Sequence, residues 1–166
     1  SQQIEAKIEM GFSCLKLKIG AIQFEEEIDL IRKIRNRFSK DDLEIRLDAN
    51  GAFASENALD FLQQLSQSDI HSVEQPIKPG NWSSMSSICA NSSIPIALDE
   101  ELIGIHSPEV RSEMVNTIRP QYLIFKPSFL GGFEATNEWI ELCDSLKIDC
   151  WITSALESNI GLNAIA

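Results

Sequence analysis

The feature that most constrains this chain is a regular alternation of short strand-like runs with amphipathic helical stretches. Residues 14–19 alternate apolar and polar side chains with a period of two, as a strand does. Residues 24–38 carry apolar side chains at steps of three and four, which predicts a helix with one buried face. The sequence predicts further strands at residues 43–47, 70–73, 95–98, 122–125 and 149–153. Strands that alternate with helices in this way predict parallel β/α units.

Helices are predicted after the remaining strands as well. Ser55 is expected to cap a helix that carries Leu59, Leu62 and Leu65 on one side. The later helices are predicted near residues 82–90, 108–116 and 133–146, with a last one that begins around residue 159. No proline-rich, serine-rich or low-complexity linker divides the chain, so we expect one domain with about six β/α units.

The length of 166 residues limits which β/α fold is available. A closed barrel of eight units needs about 250 residues and rarely fewer than about 200. We therefore expect part of such a barrel. The net charge of −11 argues against a nucleic-acid or anionic-membrane surface, because both partners select basic patches. No apolar stretch approaches the roughly 18–20 residues that span a bilayer.

The four cysteines show no metal-binding or redox spacing. None forms a C-x-x-C pair, and no histidine lies near enough in sequence to suggest a zinc site. Cys14, Cys143 and Cys150 lie in apolar stretches, where a thiol behaves as a small buried hydrophobe. Together with Cys89, they are expected to be reduced structural residues, and a reducing cytoplasm is the simplest compartment.

Charged residues recur where the predicted strands end. The set consists of Lys16, Lys18, Asp48, Glu74, Asp99 and Lys126. From Lys18 onward the steps are 30, 26, 25 and 27 residues, about one β/α unit each, so we expect these side chains at the same height on successive strands. In parallel α/β barrels, the carboxyl ends of the strands hold the active site.

Three carboxylates that converge on one point repel one another unless a cation neutralises them. All-oxygen ligands favour Mg²⁺, with Mn²⁺ as a substitute. A nearby cation, here Lys16, favours the neutral form of Lys18, which is the form that acts as a base. Each segment alone also has a plain structural explanation, such as the Asn50-Gly51 turn. The ordered combination at strand ends favours a catalytic site.

A family resemblance rests on these same residues. The combined motifs are Lys16-Leu17-Lys18, Asp48-Ala49-Asn50, Glu74-Gln75-Pro76, Asp99-Glu100 and Lys126. Together they resemble the enolase superfamily, in its muconate-lactonizing subgroup, over nearly the whole chain. The Phe-Lys-Pro segment at 125–127 and the segment 154–161 also resemble the o-succinylbenzoate synthases of menaquinone biosynthesis. Related racemases and epimerases have similar segments at these two places.

The resemblance implies an α/β fold, a partial TIM-type (β/α) barrel. Residues 1–166 would form an incomplete C-terminal (β/α)7β barrel domain, without the N-terminal capping domain and the closing strands of the family. Asp48, Glu74 and Asp99 would bind Mg²⁺, and Asn50 and Glu100 would support these ligands from behind. The substrate would be a small carboxylate.

The resemblance also implies roles for the lysines. Lys18 would remove the proton α to the substrate carboxylate and then assist departure of hydroxide in a syn dehydration to o-succinylbenzoate. Lys126 would stabilise the enolate from the opposite side, and Lys16 would tune Lys18 and help bind the carboxylate. The residues implied in contact with the far end of the substrate are Ser154, Glu157, Ser158 and Gly161.

Several alternatives remain open from the sequence. The same lysines and metal serve N-acylamino acid racemases, dipeptide epimerases and muconate cycloisomerases of the superfamily. A Schiff-base aldolase would use Lys126 but would leave the three acids without a purpose. The chain by itself can also be a non-catalytic barrel fragment. Open sheet edges would then favour pairing with another copy.

Overall fold

One parallel sheet organises the part of the chain that the structure describes. The structure is a computed structural model that describes residues 2–166, with side chains from residue 4 onward. Within it the strands are β1 (Cys14–Lys18), β2 (Glu44–Asp48), β3 (Ser72–Glu74), β4 (Ile96–Leu98), β5 (Tyr122–Phe125) and β6 (Asp149–Ile152). The order in the sheet is the order in the chain, and every neighbouring pair is parallel. No described pairing joins β6 to β1, so the sheet is a half-barrel with two open edges. The predicted partial barrel is confirmed.

Helices connect the strands on one face of the sheet. The described residues form α1 (Gln2–Glu9), α2 (Phe24–Arg37), α3 (Ala58–Leu65), α4 (Trp82–Asn91), α5 (Pro108–Ile118), α6 (Pro127–Leu130), α7 (Gly132–Leu146) and α8 (Asn159–Ile165). Two of these were not predicted. In α1, Ile4 and Ile8 are partly buried against the core, and α6 is a single turn that ends at Gly131 in a left-handed conformation. None of the helices within residues 2–166 has the length and apolar character needed to cross a membrane.

The predicted cap at Ser55 is wrong. Helix α3 begins at Ala58 and follows Asn57, whose side chain makes no capping hydrogen bond. The backbone amide of Ala58 instead donates to the carbonyl of Ala54 at 3.0 Å. A backbone turn therefore supplies the acceptor that a serine side chain would otherwise provide.

Strand geometry separates an apolar convex face from a polar concave face. Leu47, Val73 and Phe125 are fully buried in the core against the helices. Their neighbours Asp48 and Glu74 point to the other face, because successive side chains on a strand alternate. The helices thus cover one face of the sheet, and the concave face carries the charged residues.

The cysteine prediction is correct for the most buried thiols and wrong for Cys14. All four thiols are free. Burial raises the pKa of the Cys89 thiol and of the Cys143 thiol to about 12, and Cys150 is half-buried. Cys14 is exposed on the concave face of the edge strand β1, two residues before Lys16.

Replacing Trp139 tests how much the helix layer contributes to stability. Trp139 of α7 is fully buried, with its ring centroid 6.2 Å from that of Phe125. Trp139→Ala should lower the free energy of unfolding by about 3–5 kcal/mol, because it leaves a large cavity. The control on the same helix, Phe133→Ala, should cost only about 0.5 kcal/mol or less, since Phe133 is 55% exposed. Urea unfolding measures both, and equal losses would contradict this assignment of the core.

Candidate active site

Three buried carboxylates lie at one edge of the sheet. Asp48 and Glu74 end β2 and β3, and Asp99 directly follows β4. Each of the three residues is 3% exposed or less. The carboxyl ends of parallel strands lie at the same edge, so the fold brings together acids that are far apart in sequence.

The charged residues at the strand ends were expected to lie at equal positions along neighbouring strands. The pairing of the strands confirms this for only some of them. Lys18 pairs with Asp48, and Asp48 pairs with Glu74, as expected. Glu74 pairs with Ala97, so Asp99 lies two residues further along its strand, and Lys126 is displaced by two more residues relative to Asp99. The expectation of equal register is therefore wrong for the last two residues. Such a stagger is what the tilt of barrel strands requires.

Lys16 places a positive charge between two of the acids. Its Nζ lies 2.6 Å from Glu74 Oε2 and 3.0 Å from Asp48 Oδ2. Burial opposes the charged form of Lys16, but these ion pairs outweigh it and raise the pKa of Lys16. Burial raises the pKa of Glu74 to about 7, with Asp48 and Asp99 acting in the same direction and Lys16 opposing them. The acids are thus close enough to influence one another.

The other two lysines differ in their surroundings. Lys126 forms an ion pair with Asp99, and its side chain is only 18% exposed. The Lys18 side chain is 73% exposed. Its Nζ lies 2.5 Å from Asn50 Oδ1 and 3.5 Å from Asp48 Oδ2. Lys18 therefore has an ammonium group that a molecule in the solvent can reach.

Asn50 connects Lys18 to the acidic cluster. Its Nδ2 donates to Glu100 Oε1 at 2.8 Å, and its backbone amide donates to Asp48 Oδ1 at 3.1 Å. Asn50 and Gly51 have φ values of 44° and 72°, so the dipeptide is a left-handed turn. A Cβ at Gly51 would lie 3.0 Å from the backbone of Lys78, so glycine is favoured there. The turn given as the plain explanation of this motif is therefore present, and Asn50 also bonds to Glu100 and Asp48.

The donor set fits a hard divalent cation. All three acids offer only oxygen, and Glu74 Oε1 is buried with no hydrogen-bond partner among the described residues. In this conformation, no three acidic, histidine or cysteine side chains of the described chain form a ready metal cluster. The ammonium groups of Lys16 and Lys126 contact the carboxylates instead. The three acids therefore offer oxygen ligands that suit a divalent cation, and in this structure they form ion pairs with Lys16 and Lys126.

A cleft of about 390 Å³ opens beside this cluster. Of the predicted site residues, it is lined by Lys16, Lys18, Asp48, Lys126 and Ser154. Its other lining residues, which the sequence did not single out as site residues, are Phe129, Thr153, Ala155 and Leu156. Phe129 and Leu156 are exposed apolar residues, a signal that only the structure reveals. The cleft combines cationic groups with an apolar wall.

The loop between β6 and α8 divides the predicted substrate-binding residues. Glu157 lies outside the cleft lining, where it accepts hydrogen bonds from the hydroxyls of Ser154 and Ser128. These bonds lower the pKa of Glu157 to about 2. Ser158 directly precedes α8, and Gly161 lies on that helix, where a Cβ would clash with Glu157 at 2.8 Å. Ser154 alone of the predicted four lines the cleft, and Glu157 ties the loop to α6.

Two further polar residues next to the acids in sequence are buried, and the sequence did not predict this. Gln75 follows Glu74 and is completely buried. Glu101, two residues after Asp99, is buried as well. Gln75 belongs to the Glu74-Gln75-Pro76 motif and Glu101 directly follows Asp99-Glu100, but the burial of neither side chain follows from periodicity.

Comparisons with known proteins identify the family. The sequence profile of the enolase C-terminal domain-like family matches residues 1–166. An o-succinylbenzoate synthase from Desulfotalea psychrophila is 58% identical over 99% of this chain and 45% of its own length. The crystal structure of MenC from that organism has a TM-score of 0.95 at 56% identity, again over 99% of this chain and 45% of that one.

A relative with another activity has a similar fold. The crystal structure of a dipeptide epimerase from Enterococcus faecalis is 28% identical, with a TM-score of 0.89 over 99% of this chain and 47% of the epimerase. The chain therefore spans about half the length of the relatives it matches. The profile match over the whole chain, together with the half-barrel and its buried acids, shows that this chain belongs to the enolase C-terminal domain-like family.

Proposed function

We propose that the protein is a metal-assisted lyase of the o-succinylbenzoate synthase type. The observation that carries this proposal is the group of three buried carboxylates with lysines on both sides, beside an open cleft. The high identity to the Desulfotalea psychrophila synthase supports this reaction over others of the family. The proposed substrate is a hydroxy-cyclohexadiene carboxylate with a succinyl side chain.

Asp48, Glu74 and Asp99 are proposed to hold a divalent cation, Mg²⁺ with Mn²⁺ as a substitute. When bound, the cation would supply positive charge that stabilises negative charge developing on the substrate carboxylate. Asn50 and Glu100 support this group through the hydrogen bond between their side chains. Lys16 and Lys126 would have to yield part of their contacts with the acids when the cation binds.

Lys18 is the proposed base. Its ammonium group is the most exposed of the three lysines and lines the cleft. In its neutral form, Lys18 removes the proton α to the carboxylate, and the C–H electron pair passes into the carboxylate to give an enolate. Lys126, which directly follows β5, stabilises that negative charge as a cation.

The second half of the proposed reaction uses the same lysine. The enolate electrons return to form the carbon–carbon double bond, and the bond to the hydroxyl group breaks. Lys18 gives its proton to the departing hydroxide, so water leaves from the face on which the proton was removed. A single acid–base group thus accounts for a syn elimination.

A dipeptide epimerase is the second candidate. Lys18 and Lys126 both line the cleft, so either could exchange a proton with the same α carbon. The Enterococcus faecalis dipeptide epimerase shares this fold, so its reaction is the alternative to test. The protein at its natural length should therefore be incubated with the synthase substrate, an N-acyl amino acid and a dipeptide. We expect dehydration of the first, and turnover of the dipeptide alone would reject the synthase proposal.

The remaining proposals concern the protein as a whole. Residues 1–166 would be part of a (β/α)7β barrel domain, and the isolated chain would be inactive without the rest of the barrel and the capping domain. The unpaired edges of β1 and β6 would favour self-association of the isolated chain.

The surplus of acidic residues disfavours nucleic-acid partners, and the free thiols suit a cytoplasmic location.

Lys18→Ala should abolish turnover without removing the metal site. The loss expected for a general base is about 10²–10⁴-fold in kcat. Cation affinity should stay close to that of the unsubstituted protein, because Lys18 is the least buried lysine of the cluster. Lys33→Ala, at an exposed position of α2, serves as the control. Turnover in Lys18→Ala equal to that of the Lys33→Ala control would end the assignment of the base.

Asp48→Asn, Glu74→Gln and Asp99→Asn should each weaken Mg²⁺ binding by about tenfold or more, because each removes a negative charge from a buried ligand. Calorimetric titration measures the affinity. Asp60→Asn, an exposed acid on α3, should leave it unchanged. Any of the three whose affinity equals that of the control is not a ligand.

Mg²⁺ binding should also depend on pH. Because the pKa of Glu74 is raised to about 7, its carboxyl group is protonated below that pH and must lose the proton before it binds a cation. Affinity should therefore fall from about pH 8 to about pH 6, by up to roughly tenfold per pH unit. Calorimetry in buffers of different ionisation enthalpy should detect the released proton. Equal affinity across this range would show that Glu74 does not titrate at the site.

A further inference from the structure

Gln75 is a buried amide that connects the ends of β3 and β4. Its side chain is fully inaccessible to solvent. Its Oε1 accepts hydrogen bonds from the backbone amides of Asp99 at 3.3 Å and Glu101 at 3.2 Å. Its Nε2 donates to the Ile77 carbonyl at 3.0 Å and to Glu101 Oε2 at 3.1 Å. Both donors and both lone pairs of the amide are therefore used.

The position of Gln75 is fixed at both ends. Its backbone amide donates to the Ala97 carbonyl at 2.9 Å and so extends the ladder between β3 and β4. Its φ is +40°, in the left-handed region that a side chain such as glutamine seldom adopts. Such a conformation persists only where the surrounding contacts enforce it. The turn at Gln75 thus directs the amide toward the loop that begins with Asp99.

Glu101 is the anchor on the other side. It is buried, and its second carboxylate oxygen, Oε1, accepts a hydrogen bond from the backbone amide of Gly80 at 2.8 Å. The Gln75–Glu101 pair therefore joins the loop after β3 to the loop after β4. These are the two loops adjoining Glu74 and Asp99.

We propose that Gln75 is a positioning residue that sets the spacing between the carboxylates of Glu74 and Asp99. Gln75 directly follows Glu74 in the chain, and its side-chain oxygen accepts a hydrogen bond from the backbone amide of Asp99. The proposal rests on the proposed function, because the spacing matters where the two acids share a cation. Gln75 itself touches no substrate and is not a catalytic residue.

A role limited to filling the core predicts different behaviour. A methionine has nearly the length and volume of glutamine, so Gln75→Met would preserve packing. It would leave the amides of Asp99 and Glu101 buried without an acceptor, and these groups would shift to find one. Gln75→Met therefore separates the contribution of the side chain to packing from its hydrogen bonds to the two backbone amides.

Gln121 is a matched control at the opposite end of the sheet. Its Oε1 accepts a hydrogen bond from the Ile96 amide at 2.9 Å, and its Nε2 donates to the Cys89 carbonyl at 3.4 Å. It therefore joins neighbouring elements as Gln75 does, at a more exposed position away from the acids.

The test compares Gln75→Met with Gln121→Met in the protein at its natural length. Mn²⁺ alone is the probe, and its affinity and electron paramagnetic resonance spectrum are the measurements. Gln75→Met should weaken Mn²⁺ binding by about 10–100-fold and alter the spectrum. Hydrogen exchange at the Asp99 and Glu101 amides should accelerate in the same variant. Gln121→Met should change neither the affinity nor the spectrum.

A charge exchange supplies the rescue. Combining Gln75→Glu with Glu101→Gln keeps the net charge and restores an acceptor for the Asp99 and Glu101 amides, a donor between the two side chains and an acceptor for Gly80. Only the donor to the Ile77 carbonyl stays lost. The double variant should therefore bind Mn²⁺ more tightly than Gln75→Met but less tightly than the unsubstituted protein. If Gln75→Met does not fold, the double variant is compared with Gln75→Glu, which also lacks the donor between the two side chains.

The possible results separate a failure of the proposed function from a failure of the role proposed for Gln75. Absence of Mn²⁺ binding by the unsubstituted protein would overturn both the proposed function and this inference. Normal binding by the unsubstituted protein, with unchanged affinity in Gln75→Met, would overturn this inference alone. A double variant that binds Mn²⁺ no better than Gln75→Met, or no better than Gln75→Glu if Gln75→Met does not fold, would also overturn it.

Discussion

The burial of three like charges at one edge of the sheet is the constraint on which the rest of the site depends. Asp48, Glu74 and Asp99 are removed from water and repel one another, which costs free energy unless positive charge is close by. Lys16 supplies that charge to the first two acids and Lys126 to the third. The lysines neutralise the carboxylates in part, and the same negative charge would attract a divalent cation.

The fold determines why these charges meet. Each strand presents apolar residues to the helices and its other residues to the concave face, so an acid at the end of a strand points inward. The hydrogen bonds of Gln75 and Asn50 then fix the loops that follow the strands. Strands thus carry the charged groups, and side-chain hydrogen bonds hold the loops beside them.

Much of this arrangement could be predicted from the sequence, because alternation and spacing are local patterns. The strand ends at Asp48 and Glu74 follow directly from the periodicity. The exposure of Cys14 followed from strand parity with Lys16, but its apolar neighbours obscured it. The hydrogen bond between Gln75 and Glu101 and the one between Glu157 and Ser128 depend on segments brought together by folding, so no local pattern specifies them.

Anomalous diffraction from crystals of the natural-length protein grown with Mn²⁺ tests the central claim most directly. We expect one manganese peak between the carboxylates of Asp48, Glu74 and Asp99, with Lys16 Nζ withdrawn from at least one of the two carboxylate oxygens with which it pairs. The contrary result is a map without a peak among these acids at saturating Mn²⁺, with Lys16 and Lys126 still bound to them. That result would make the lysine–carboxylate cluster a structural ion-pair network rather than a metal site.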